Sequence, residues 1–540
     1  MATIIDYFIK RLAELGISEI FGVPGDYNFK ILEAIEECRD TKWIGCCNEL
    51  NAGYAADGYA RIKGMGAVVT TYGVGELSAI NAAAGSYAEN LPVVCIAGLP
   101  KKELVNQGKI FHHCLNSNYK IFEKIYSNVT AFSVVLSEEN AQEEIETALS
   151  IAYHQKKPVY IGIYDDICKK KIKLTQEKFK EKKSNIKNLK DSAVHISDIL
   201  DKAKNPVIIS EFPVLRLGLK EEMQNLVEKS GFASTTMMMG KGSIDETSAN
   251  FIGTYAGNLI SDETAKIVEK SDCVLGFGIL MSDFNTGGYS SKLDLSKVIS
   301  IQYDTVIVEN KVYKDVLMKD VIKELTEEVI PKKQDSRQIP FEYKYAQGSD
   351  KELGQKFIYI FMQNYLQEGD IYLAETGLTS IGSVPIRLPK DASFCIQAFW
   401  GSIGWATPAC LGACFAAKDK RPILITGEGS HQMTFQEIST MLRYGLKPII
   451  VVLNNSGYTI ERLLSKNPMD KFNDIAVWDY TQVVKGFWGN KKTYKVRTER
   501  EFEAALKDAR KIDELVYIEA FTERLDAPAV VKKLTDKLGS

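Results

Sequence analysis

Short runs of uniformly apolar, largely β-branched residues recur along the chain with helical stretches between them. This alternation constrains the fold more than any other feature of the sequence. The runs fall at 20–23, 68–71, 93–97, 159–163, 207–210, 274–279, 298–301, 371–374, 423–426, 449–453 and 515–521. Several start directly after a proline (Pro92, Pro158, Pro206, Pro422, Pro448). A strand tolerates proline at its first residue because no ladder N–H is needed there. Ile4, Ile5, Phe8, Leu12 and Leu15 follow helical spacing, and Gly16 is placed to end that helix. Strands apolar on both faces, alternating with helices, assemble into parallel sheets covered on both sides. The expected class is α/β, with open parallel sheets flanked by helices.

A chain of 540 residues needs more than one such unit. Two polar stretches divide it: 169–190, with ten lysines, and 331–354, with Pro331 and Pro340. The lysine run reads as a solvated connector. Three domains are expected, at 1–175, 190–335 and 350–540. Lys+Arg number 67 against 70 Asp+Glu, which argues against a nucleic-acid binder driven by bulk charge. The ten cysteines include no CxxC pair and read as reduced, packed thiols. Asp6, Lys10 and Arg11 come too early for a signal peptide. The longest apolar run, 405–417, is broken by Thr407, Pro408 and Gly412 and is too short to span a bilayer. The expectation is a cytoplasmic protein with no membrane and no nucleic-acid partner.

The strongest chemical signal is Gly427-Glu428-Gly429-Ser430, with Asn454-Asn455 beginning 24 residues after Ser430. Each half ends an apolar run, so both halves belong at the carboxyl ends of parallel strands, where open α/β sheets bind ligands. Glycines let backbone approach a phosphate, and Ser430 can donate to it. A carboxylate, an amide oxygen and a carbonyl are hard ligands suited to Mg²⁺. A GxG alone is compatible with an ordinary strand-end turn. Its spacing to an Asn-Asn pair after a second strand favours a site.

Further motifs cover nearly the whole chain: Phe21-Gly22-Val23-Pro24-Gly25-Asp26, Asn48-Glu49-Leu50-Asn51-Ala52, Ala56-Asp57-Gly58-Tyr59-Ala60-Arg61, Gly73-Val74-Gly75-Glu76-Leu77-Ser78, Phe111-His112-His113, Trp400-Gly401-Ser402-Ile403-Gly404 and Gly457-Tyr458-Thr459-Ile460-Glu461. With these motifs the sequence resembles the thiamine diphosphate family, in its 2-keto acid decarboxylase branch. The His-His pair and the Tyr-Thr-Ile-Glu run separate that branch from acetolactate synthases. The resemblance implies pyrimidine-binding, central and diphosphate-binding domains in that order. It implies thiamine diphosphate and Mg²⁺ as cofactors, with Glu428, Asn455 and the Gly457 carbonyl on the metal.

The same resemblance assigns the other site residues. Glu49 is the acid that bonds the cofactor's pyrimidine nitrogen, and its apolar surroundings favour the protonated donor form. Asp26, His113 and Glu461 handle proton transfer and carboxylate positioning, with His112 in support. The Gly401 carbonyl meets the cofactor's amino group, and Ile403 is the bulky residue that holds the cofactor bent. Thr376, Gly429, Ser430, Tyr458 and Thr459 complete the cradle. The reaction implied is non-oxidative decarboxylation of a 2-keto acid to an aldehyde and CO₂, with the cofactor as electron sink. Glu49 and Asp26 would come from one subunit and the metal motif from another, making a homodimer the minimum and a homotetramer typical.

Two positions depart from the family pattern. Glu428 stands where Asp is usual, and Leu378 stands where a Thr usually contacts the diphosphate, unless Thr379 substitutes. Weakened metal binding is one consequence, and a catalytically weakened homologue is its extreme. Ser380 and Ile381 replace larger or aromatic residues, and Ile460, Leu534 and Leu538 are further candidate walls. The expected substrate is therefore a bulky 2-keto acid, branched, long-chain or aromatic. A carboligase forming 2-hydroxy ketones and a pyruvate-preferring decarboxylase are the alternatives. Gly276-Phe277-Gly278 is a lone GxG, so no FAD or NAD is expected.

Overall fold

Each of the eleven short apolar runs supplies a strand buried between helices, whereas the longest run, 405–417, forms a helix. The computed structural model describes residues 2–174, 177–332 and 346–538. Pro340, in the second polar stretch, lies outside the described residues. The first sheet has the order Lys42–Gly45, Glu19–Gly22, Gly66–Thr71, Val93–Leu99, Val159–Tyr164, Phe132–Val135, and every pairing is parallel. The third sheet has the order Ser393–Cys395, Ile371–Ala374, Pro422–Gly427, Ile449–Asn454, Leu515–Phe521, Lys491–Val496, again all parallel. The central sheet departs from the all-parallel expectation. Its first five strands by position, Phe251–Thr254, Ala233–Thr236, Pro206–Ser210, Cys273–Phe277 and Val298–Ile301, pair in parallel. Thr305–Val308 and Lys311–Lys314 then extend it antiparallel, because a tight turn with Glu309 at φ 53° folds the chain straight back.

The lysine run is not a free connector. Lys170 accepts from the Ile4 N–H, Lys178 pairs with Glu14 at 2.6 Å, and the Phe179 N–H donates to Glu146. The helix Ile186–Lys202 already begins inside it.

The first and third sheets are joined through two small-residue helices, Glu49–Lys63 and Ala406–Ala416. Both are buried on nearly all sides, so neither shows an amphipathic pattern. Their backbones touch: a Cβ on Gly412 would lie 1.9 Å from the Ala55 carbonyl oxygen, and one on Gly58 would lie 2.3 Å from that of Ala409. The apolar run 405–417 is thus the central joint between two domains. Beside it Arg61 is clamped by Asp57 at 2.8 Å and Glu89 at 2.6 Å, and donates to the Ile396 carbonyl. The Trp405 indole N–H donates to Asp57. All ten cysteines are free thiols. Among the described residues no helix is long and apolar enough to cross a membrane.

Candidate active site

Two groups of side chains gather at the carboxyl ends of strands, one on the first sheet and one on the third. On the first sheet, Asp26 follows the strand Glu19–Gly22, and its carboxylate lies 3.0 Å from His112 Nε2. Tyr27 stacks on the His112 ring, with its hydroxyl 3.0 Å from Nδ1. Both histidines lie in the loop beyond the helix Lys102–Asn106, and their ring centroids are 4.4 Å apart. Adjacent side chains share this site because His113 adopts a left-handed φ of 67°. Gly73 must be glycine there: its φ is 70°, and a Cβ would lie 2.8 Å from the His113 carbonyl.

Glu49 stands beside this cluster as the first residue of the helix Glu49–Lys63. Asn48 caps that helix by accepting from the Asn51 N–H, which leaves the Glu49 carboxyl free of capping duty. Glu49 is half-buried in a single chain, short of the enclosure its apolar neighbours suggested. Its Oε1 lies against Gly75, whose Cβ would come within 3.3 Å.

On the third sheet a cavity of about 500 Å³ opens at the ends of Pro422–Gly427 and Ile449–Asn454. It collects Thr376, Leu378, Gly401, Ile403, Gly429, Ser430, Asn455, Gly457, Tyr458, Thr459 and Glu461 from four separate segments. Glu428, the first residue of its helix, accepts the N–H groups of Asn455 (3.2 Å) and Gly457 (2.8 Å). Burial pushes its carboxyl up to about 7, against the hydrogen bonds from Gly457 and Asn455. Asn455 Oδ1 is buried with no partner. An orphaned amide oxygen beside a buried carboxylate is the donor set a hard divalent cation satisfies. Gly429 has no room for a Cβ, which would lie 2.5 Å from the Tyr458 ring. That backbone is left bare for a phosphate.

Ile460, Leu534 and Leu538 line the cavity, but Ser380 and Ile381 do not. The Ser380 hydroxyl turns back onto the Gly377 carbonyl at 3.1 Å. Ile381 is buried in an apolar cluster with Val384, Val531 and Leu534. Their helix, Leu378–Ser383, presents its other face to the cavity, so the argument for a widened pocket loses its basis. Thr379 does not replace the missing threonine either: its hydroxyl is spent on the Glu375 carbonyl at 2.7 Å.

Sequence reasoning missed three contributors. Phe284 reaches the cavity from the central domain. Leu464 adds a wall one helical turn beyond Ile460, a spacing that could have found it. Glu375, fully buried, accepts from the Thr376 and Ala406 N–H groups and so ties the strand end to the segment carrying Gly401 and Ile403.

Models of the thiamine pyrophosphate enzymes match the chain in three parts. The N-terminal TPP binding domain matches residues 2–120, the central domain 194–329 and the C-terminal TPP binding domain 379–520. Pyruvate decarboxylase isozyme 3 of Saccharomyces cerevisiae is 37% identical, over 93% of this chain and 92% of its own. The pyruvate decarboxylase of Candida glabrata is 36% identical, over 97% and 95%. That of Aspergillus terreus is 37% identical, over 98% and 95%. The chain belongs to the pyruvate decarboxylase family of thiamine pyrophosphate enzymes. It is a thiamine diphosphate-dependent 2-keto acid decarboxylase.

Proposed function

We propose that this decarboxylase acts on pyruvate-type 2-keto acids, with Mg²⁺ held by Glu428, Asn455 and the Gly457 carbonyl. One observation carries the metal assignment: the buried, unpartnered Asn455 Oδ1 beside the Glu428 carboxylate. Bound thiamine diphosphate supplies the electron sink for the departing CO₂. The chain's own work is to hold its two ends and to move protons. Gly429 and Ser430 receive the diphosphate, and Ile403 and the Gly401 carbonyl receive the ring end. Asp26, with His112 held at 3.0 Å, exchanges a proton with the reacting carbon, and His113 and Glu461 position the substrate carboxylate.

The cavity on the third sheet contains none of Glu49, Asp26, His112 or His113. This supports a site completed by a second copy, which brings its first sheet to this cavity. Val74, Leu77, Trp400 and Met433 are exposed apolar side chains near the two half-sites, the kind of surface a second copy covers. A homodimer is then the smallest active unit.

Leu378, Ile460, Leu464, Leu534 and Leu538 close one end of the cavity with branched side chains, which suits a small substrate. The named relatives, all pyruvate decarboxylases, support the same choice. The test is kcat/KM for CO₂ release from pyruvate, 2-ketoisovalerate, 2-ketoisocaproate and phenylpyruvate in cofactor-saturated protein. Pyruvate is expected to lead. A higher value for phenylpyruvate or 2-ketoisocaproate would restore the bulky-substrate reading.

A further inference from the structure

The direction of the Glu49 side chain is set by its neighbours. Among the described residues the Glu49 carboxyl has no hydrogen-bond partner of its own. It stands at the first position of the helix Glu49–Lys63, so the backbone on either side aims it. Cys47 lies two residues before it and Asn51 two residues after it. One carboxyl group from the third domain grips both.

Glu437 opens the helix Glu437–Arg443 and is fully buried. Its Oε1 accepts the Cys47 backbone N–H at 2.6 Å and the Asn51 side-chain N–H at 3.1 Å, across 390 and 386 residues of chain. Adjacent groups close the same joint. The Cys47 thiol donates to the Gln436 carbonyl at 3.4 Å and lies 3.6 Å from the Thr440 hydroxyl. The Asn51 backbone N–H donates to Asn48 Oδ1 at 2.8 Å, which fixes the cap of the helix. Backbone and side chain of Asn51 are thus both committed, one to the cap and one to Glu437.

Burying a carboxyl group is costly unless its oxygens are satisfied. Among the described residues no Lys, Arg or His pairs with Glu437. Its Oε2 is buried with no partner, and so is Asn51 Oδ1. An apolar side chain of similar volume often serves an interior at least as well. What Glu437 adds is the pair of bonds to the residues flanking Glu49. Such bonds matter where a group must be aligned, since a displacement of about 1 Å can cost about 100-fold in rate.

We propose that Glu437 is a positioning residue: by holding Cys47 and Asn51 it aims the Glu49 carboxyl at the cofactor's pyrimidine nitrogen. This rests on the reading of Glu49 as the acid that bonds that nitrogen. The first measurement is exchange of the thiazolium C2 proton for deuterium in the holoenzyme, followed by NMR after acid quench. The second is amide exchange of the segment 46–51 in cofactor-free protein, which reports the Cys47 N–H directly. Glu437→Leu should slow C2 exchange at least about tenfold per bound cofactor and speed amide exchange, with KM for pyruvate within about twofold of wild type. Glu437→Gln keeps a carbonyl oxygen for both donors and sets its amide where Oε2 has no bond to lose, so C2 exchange should recover to within about threefold. Asn51→Ala removes one of the two bonds and should slow C2 exchange about threefold, which carries the test should Glu437→Leu fail to fold. A group that only stabilises the fold would lower the melting temperature and leave C2 exchange per bound cofactor unchanged. That result in Glu437→Leu or in Asn51→Ala, while Glu49→Gln is slow, would overturn the assignment. A Glu437→Gln protein as slow as Glu437→Leu would overturn it too. Wild-type exchange in Glu49→Gln would instead remove the reading of Glu49 on which the proposal rests.

Discussion

At the scale of single residues, the decisive groups are carboxyls whose surroundings set their charge. Glu428 bends over the Asn455 and Gly457 N–H groups, a position its extra methylene permits. Mg²⁺ tolerates little error in ligand distance. Glu428→Asp is therefore expected to tighten Mg²⁺ about tenfold, read by metal titration of cofactor binding, and an unchanged affinity would mark the substitution as neutral. Glu76 is different: it is fully buried, bonded by the Tyr160 hydroxyl at 3.1 Å, and burial pushes it up to about 8. The folded chain then keeps a proton that the unfolded chain releases above the ordinary 4.5. This stabilisation is whole below 4.5 and is lost as pH rises through about 8. Glu76→Gln should remove about one proton's worth of slope from the urea-midpoint profile across that window. Parallel profiles for the two proteins would contradict it. Asp26, His112 and His113 stood out because they sit in short motifs that the family resemblance carries over, and histidine is rare here, with five in the chain. The Glu375 clamp was not, because nothing in Ala374-Glu375-Thr376 says which backbone its carboxylate will reach.

At the scale of elements, two kinds of contact hold the two groups of side chains in place. The helices Glu49–Lys63 and Ala406–Ala416 approach so closely that Gly412 lacks space even for a methyl group. Gly412→Ala is expected to destabilise the chain by about 2 kcal/mol or more in urea denaturation, since overpacked interiors relax poorly. A change within error would mean the helices can separate freely. The segment 401–406 depends on Glu375 instead. Glu375→Ala should free it and weaken thiamine diphosphate about tenfold with the fold intact, measured by cofactor titration and circular dichroism, because two backbone N–H groups lose their acceptor. Elements were legible in proportion to their burial. The eleven apolar runs are interior strands of the three sheets or lie beside them. The strands the sequence did not announce are the outer ones: Lys42–Gly45 and Phe132–Val135, Ser393–Cys395 and Lys491–Val496, and the two outermost on each side of the central sheet. Outer strands are shorter or carry polar residues, as in Lys311–Lys314, so they lack the signature of burial on both faces.

At the scale of the whole molecule, the two groups of side chains stand in separate places within one chain, and the proposed site needs a second copy. If each site takes Asp26 from one copy and Glu428 from the other, inactive Asp26→Asn and Glu428→Gln proteins should regain activity when mixed. After random exchange of subunits about one quarter of the wild-type rate is expected, because only mixed dimers hold one intact site of two. No recovery after demonstrated exchange would place a complete site within one chain. The sequence by itself determined the class of fold and thiamine diphosphate as the cofactor, and it nominated the chemistry-bearing residues. Those depend on local periodicity and on short motifs that keep their spacing wherever they fold. Tertiary structure decided which of these residues meet. It put Leu534 and Leu538 on the cavity and turned Ser380 away from it. It also brought Glu437 onto Cys47 and Asn51, 390 and 386 residues away, a joint that no stretch of sequence describes. Side-chain direction and contacts between distant segments are set by packing across domains, and a linear pattern carries no record of that packing.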